Sequence, residues 1–292
     1  MKMESYRSEF RELIDPQTPI EKVADGFTFT EGPIWDTENN RLLFSDIPEN
    51  KIFSWSEKQG TSIYRSPSKF SNGLTFDPHG NLIICEHQGR AISSLDKNKA
   101  YKTLANSYEG MKLNSPNDVI SAKDGSILFT DPIYGLRSGI GGPGEQELAF
   151  QGVFRLPPDS SQLELITDSF ERPNGLLFSP DEKQLFICDT VRQHIRMFDV
   201  KENWTFSGGQ VWAELWDESL GGRPDGMKID ILGNMFCTGP GGIWVFDINA
   251  NLLGRIFLPE KTSNLAWGDP DRRSLFITSN SMIYRIRCNT NG

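Results

Sequence analysis

Six positions in this chain carry a carboxylate or a carboxamide at the head of a short apolar segment: Glu31, Asn72, Asn117, Asn174, Asp225 and Asn264. Each offers an oxygen donor and none is His or Cys, a set that suits a hard cation such as Ca²⁺ and argues against zinc. The two carboxylates balance the charge of one divalent ion, and amide oxygens with waters complete its shell. Asn or Asp before Gly also sets tight turns. Turn geometry alone does not explain this column, because Glu31 is a poor turn residue and Asn117 is followed by Asp118. A second column lies 14 or 15 positions after the heads, at Asp46, Glu86, Asp131, Asp189, Gly239 and Ser279. Its four carboxylates are expected near the same end of the fold, either as groups that orient, bind or deprotonate, or as acceptors for loop N–H groups.

The segments that must position these residues repeat. They are EGPIWDTENNRLLFSD, NGLTFDPHGNLIICE, NDVISAKDGSILFTD, NGLLFSPDEKQLFICD, DGMKIDILGNMFCTG and NLAWGDPDRRSLFITS, with heads 41, 45, 57, 51 and 39 residues apart. Each is a polar head, a short apolar strand, a turn and a second apolar strand, and the period suits four-stranded propeller blades. Further strands follow most pairs, such as KIFSWS and TSIYR in the first copy. The last copy has only MIYRIRC before the chain ends, whereas IEKVADGF near the N terminus is strand-like and unassigned. The reading is therefore an all-β, six-bladed β-propeller with four antiparallel strands per blade, closed by an N-terminal strand in the C-terminal blade. Residues 19–292 form one domain. Residues 1–18 are a helical or irregular lead-in, and removing residues 1 to 14 is expected to be mild. In such a ring the heads line the central channel together.

His87, beside Glu86, is the one histidine expected near the mouth. His79 lies in a turn at the other end and His194 begins a third strand, so no Ser-His-Asp arrangement has obvious members. The segment 132–152 after Asp131 is long and leaves from the mouth, a candidate lid or a connector. Its Gly139, Gly141 and Gly144 formally match GxGxxG, but Pro143 and the lack of a βαβ context reject a dinucleotide site. Tyr134 and Phe150 are candidate apolar walls.

Acidic residues outnumber Lys and Arg by 39 to 30, a net charge of −9, which disfavours nucleic acid. No window reads as a membrane span, and charges interrupt the N terminus, so no signal peptide is expected. Cys85, Cys188, Cys237 and Cys288 lack CxxC spacing, and reduced buried thiols in a cytoplasmic protein fit them.

EGPIWD, NSPNDV with SILFTDPIYG, ERPNGLLFS and GRPDGMKID, in this order, resemble the SMP-30/gluconolactonase/regucalcin-like family, in particular its bacterial gluconolactonase-type members. The resemblance runs from about Thr30 to the last strand. It implies a six-bladed propeller with one divalent cation, Ca²⁺ first and Mg²⁺, Mn²⁺ or Zn²⁺ possible in vitro, and hydrolysis of lactone esters, typically of sugars. By motif, it implies metal ligation by Glu31, Asn117, Asn174 and Asp225, with Asp225 also the catalytic base or nucleophile. Regucalcin-type members carry a substrate-contacting Arg two residues before the Asn of the third motif, where this chain has Ser115. Asn72, Glu86, His87, Asn117, Asp131 and Tyr134 are the expected contacts of a small-molecule lactone substrate. Two rivals share the metal site: a phosphotriesterase-like hydrolase, and a non-enzymatic propeller that binds a ligand or protein around a structural ion.

Overall fold

The computed structural model describes residues 1–292. Six antiparallel sheets follow one another along the chain, and in each the first strand lies on the channel and the later ones step outward. The first blade holds Thr30–Asp36, Arg41–Asp46, Lys51–Ser56 and Gly60–Arg65. The inner strands of the next four are Ser71–Phe76, Val119–Ser121, Pro173–Phe178 and Met227–Ile229. The sixth has Thr262–Gly268, Ser274–Ser279 and Met282–Arg287, and its fourth strand is Glu21–Asp25, paired antiparallel with Met282–Arg287. The expected closure of the ring is thus present.

Alternation of side chains along strands buried on both faces gives six separate apolar cores, one in each gap between neighbouring blades. The gap between the second and third blades, for example, is filled by Ile83, Ile92, Phe129 and Phe154. No helix is long and apolar enough to cross a membrane. All four cysteines are free and buried.

The lead-in differs from the sequence expectation. Lys2–Ser5 adds a fifth strand to the outer edge of the fifth blade, pairing with Gly254 to Phe257. Ser8–Leu13 is a short helix, and Phe10, Leu13 and Ile14, spaced i, i+3 and i+4, are 0%, 5% and 0% exposed. They fill the gap between the fifth and sixth blades with Leu253, Ile256, Tyr284 and Ile286. Burial of three large apolar side chains makes this segment part of the core rather than a lead-in.

Backbones of adjacent inner strands meet closely at the channel, which explains the glycine after most heads. Gly73 N–H donates to Asn117 O at 2.8 Å, and Gly175 N–H to Asp225 O at 3.0 Å. At Gly32, where φ is +52°, an added Cβ would stand 2.0 Å from Asn72 O. Gly32→Ala combines left-handed strain with a backbone clash, and about 2–4 kcal/mol of stability should be lost in urea denaturation. Wild-type stability in that variant would show that the inner strands separate freely.

Candidate active site in the channel mouth

The heads converge as the repeat requires. Glu31, Asn72, Asn117, Asn174 and Asp225 all line one cavity of about 410 Å³ at the mouth of the channel. Asn264 is buried beside them without lining it, and its Nδ2 donates to Glu31 Oε2 at 3.2 Å. Asn117 and Asp225 sit just before their blades' first strands, and the second strand supplies the acceptors that fix them: Asn117 N–H donates to Thr130 O at 2.8 Å, and Asp225 N–H to Thr238 Oγ1 at 3.0 Å.

Electrostatics at the floor are unfavourable for a protein left to itself. Burial, then the neighbouring Asp225, holds the Glu31 carboxyl well above the ordinary carboxylate range. Asp225 is pushed up to about 7, chiefly by burial and further by Asp118, while Lys261 and hydrogen bonds from Asn174 and Glu31 pull the other way. Two buried carboxyls within hydrogen-bonding reach need either a shared proton or a cation between them. Asn174 Nδ2 donates to Thr190 Oγ1 at 3.0 Å, which holds the carboxamide at the cavity wall. No three His, Cys, Asp or Glu side chains converge as a metal cluster anywhere, so an ion here must draw on carboxamide oxygens. Two carboxylates with flanking carboxamides fit a hard divalent ion.

His87 and Tyr134 reach the same cavity. His87 Nδ1–H donates to Ile140 O at 2.7 Å, leaving Nε2 to accept from Asn72 Nδ2 at 3.2 Å. Burial lowers the imidazole to about 4, so it is neutral near pH 7 and serves to aim the Asn72 oxygen into the cavity. Ile140 belongs to the long segment after Asp131, which also contributes Tyr134 and Arg137 to the lining, so 132–152 is a wall of the site. Burial pushes the Tyr134 hydroxyl up to about 12 and keeps it a donor.

Glu86 and Asp131 stand outside this cavity. Glu86 accepts from Ser93 Oγ at 2.8 Å and Tyr101 Oη at 3.0 Å, and Asp131 Oδ2 accepts from Asn114 N–H at 2.7 Å. Asp46 takes the N–H groups of Thr28 and Phe29 at 2.9 and 3.1 Å, and Asp189 takes those of Glu171 and Val191 at 2.7 and 3.0 Å. Asp46, Asp131 and Asp189 therefore tie down the loop that enters their own blade, whereas Glu86 joins the outer strands of its blade through Ser93 and Tyr101. Sequence reasoning missed Asp118, a buried neighbour of Glu31 and Asp225 whose Oδ2 has no partner. It also missed Arg172 and Arg223, which line the cavity from two positions before their heads, in RPN and RPD.

Comparison with known proteins gives the same reading of the fold and the family. The chain is 34% identical to a gluconolactonase of Zymomonas mobilis, over all of this chain and 87% of that protein. It is 25% identical to a pentonolactonase of Haloferax volcanii over 85% of this chain and 80% of the other. A solved gluconolactonase structure from Xanthomonas campestris superposes with a TM-score of 0.92 at 32% identity, covering 99% of this chain and 95% of that one. The family model for the SMP-30/gluconolactonase/LRE-like region matches residues 29–281, which takes in all six heads. The chain belongs to the SMP-30/gluconolactonase/LRE-like family.

Proposed function

We propose that this chain is a lactonase that opens the ring ester of a sugar lactone in the channel-mouth cavity, with one divalent cation, Ca²⁺, held by Glu31, Asn117, Asn174 and Asp225. The observation that carries this reading is the facing pair Glu31 and Asp225, buried at the floor of a cavity wide enough for a monosaccharide. Gluconolactonase and pentonolactonase relatives that match most or all of the chain support the substrate class. When bound, the cation would polarise the lactone carbonyl and stabilise the charge developing on its oxygen.

The chain's own groups do the rest. Asp225 accepts a proton from the water that adds to the carbonyl carbon, and returns it to the ring oxygen as the acyl C–O bond breaks, giving the open hydroxy acid. Asn72, aimed by His87, accepts from a substrate hydroxyl, and Tyr134 donates to another. Phe29 and Ile47 form an apolar wall on the side of the first blade. Asp131, locked beneath Asn114, has no path to the substrate. Four reduced, buried thiols suit a reducing compartment, and we place the enzyme in the cytoplasm.

The test is a panel of glucono-, galactono- and xylono-lactones with protein stripped by chelator and reloaded with Ca²⁺. Turnover should vanish on stripping and return on reloading, and phosphotriesters should stay at background. Lactone turnover that survives complete metal removal would falsify the role given to the four ligands.

A further inference from the structure

The cavity mouth carries a charge opposite to that of the protein. Of the thirty Lys and Arg side chains, four line this one cavity: Arg137, Arg172, Arg223 and Lys261. Of the thirty-nine Asp and Glu, only Glu31 and Asp225 do, and both lie at the floor. Three of the four cations stand at the loop entries of successive blades. Arg172, Arg223 and Lys261 come two or three residues before the heads of the fourth, fifth and sixth, and Arg137 comes from the 132–152 wall. The corresponding positions of the first two blades are Phe29 and Phe70, of which Phe29 lines the cavity, so neither of these blades adds a cation to the lining there.

None of the four cations is spent on a carboxylate. Elsewhere Arg155 pairs with Glu164, Arg255 with Asp217 and Arg285 with Glu21. Here, Arg172 lies over the Tyr134 ring at 5.0 Å with its buried Nε lacking any partner, and Lys261 lies 5.6 Å from the Phe29 ring centre. Arg223 has only a long hydrogen bond, 3.4 Å, to Val191 O. Ser115, the equivalent position of the third blade, is buried and bonded to Pro132 O and Gly135 N–H, and adds nothing to the mouth. A partly buried guanidinium with an unpartnered Nε, as at Arg172, beside the exposed guanidinium of Arg223 on the same cavity, is matched by a planar or tetrahedral oxyanion.

A neutral sugar lactone would not be steered into the cavity by this field. Electrostatic steering acts only on a charged ligand, and the carboxylate made by hydrolysis forms at the floor, away from the rim. Building on the lactonase reading, we propose that the substrate is an anionic lactone, carrying a phosphate or a second carboxylate at the end remote from the ring ester, which Arg172 and Arg223 grip with Arg137 and Lys261 alongside.

The experiment compares kcat/KM of the Ca²⁺-loaded enzyme for glucono-1,5-lactone, its 6-phosphate and glucaro-1,4-lactone at low and high NaCl. At least one anionic lactone should be preferred by about tenfold or more at low salt, and the preference should shrink as salt rises. Arg172→Gln and Arg223→Gln should each lower kcat/KM for the preferred anion by about tenfold and flatten its salt dependence, with melting temperature confirming the fold. Which anion wins identifies the remote group. Equal or faster turnover of the neutral lactone at every salt concentration overturns the proposal while leaving the lactonase reading intact. If no lactone is turned over, the lactonase reading fails, and calorimetry decides the subsite separately. Tighter binding of 6-phosphogluconate or glucarate than of gluconate supports it, and equal binding of all three overturns it.

Discussion

Asp225→Asn is expected to lower lactone turnover by about 10² to 10⁴-fold even with Ca²⁺ in large excess. Asparagine keeps an oxygen near the ion position and nearly the same shape, so the ion should bind more weakly and be restored by added Ca²⁺, while the proton acceptor is gone. Asp225 lies at the cavity floor, buried against Glu31, and no other carboxylate lines this cavity. Asn72→Ala provides the contrast: its partner is His87, so its loss should raise KM more than it changes ion occupancy. Steady-state kinetics paired with metal analysis separates the two. Near-wild-type turnover by metal-saturated Asp225→Asn would remove Asp225 from the proton transfer.

Removing residues 1 to 14 is expected to cost about 5 kcal/mol or more, enough to unfold or aggregate the protein at growth temperature. Phe10, Leu13 and Ile14 are buried between the fifth and sixth blades, and each such side chain contributes about 1.5–3 kcal/mol. The loss also strips the strand Lys2–Ser5 from the fifth blade's edge. A domain's net stability is only about 5–15 kcal/mol, so the deletion removes a large share of it. Phe10→Ala isolates the packing part and should cost about 3–5 kcal/mol in denaturant titration. A truncated protein that melts with the full-length chain would show the segment to be an ornament.

The blades were legible because each copy sets two short apolar strands behind a polar head at similar spacing, so six weak signals add in phase. The N-terminal helix has only six residues, and its spacing of Phe10, Leu13 and Ile14 is drowned by five charged neighbours, although the i, i+3, i+4 pattern was there to be found. Closure by Glu21–Asp25 was legible from counting strands. The site divides in the same way. Periodicity brings Glu31, Asn117, Asn174 and Asp225 to one cavity. It misplaces Glu86 and Asp131, because the distance along a strand does not tell on which side of the blade a terminal side chain turns. The rim cations escaped for a different reason: they sit in loops, where no period constrains direction and only the pockets of the finished ring reveal a shared target.

The closing strand also imposes an order on biosynthesis. Glu21–Asp25 leaves the ribosome ahead of the first blade, but its partner Met282–Arg287 follows only after five blades have been made, and Lys2–Ser5 waits almost as long for Leu252–Phe257. While the intervening blades are made, these two strands must stay unpaired, and the first and latest blades each present an open edge to other nascent chains. Ring closure then joins segments far apart along the polypeptide, with the slow kinetics of high contact order. The finished ring trades that exposure for a lock: Glu21–Asp25 and Met282–Arg287 cannot part without opening the one blade they share.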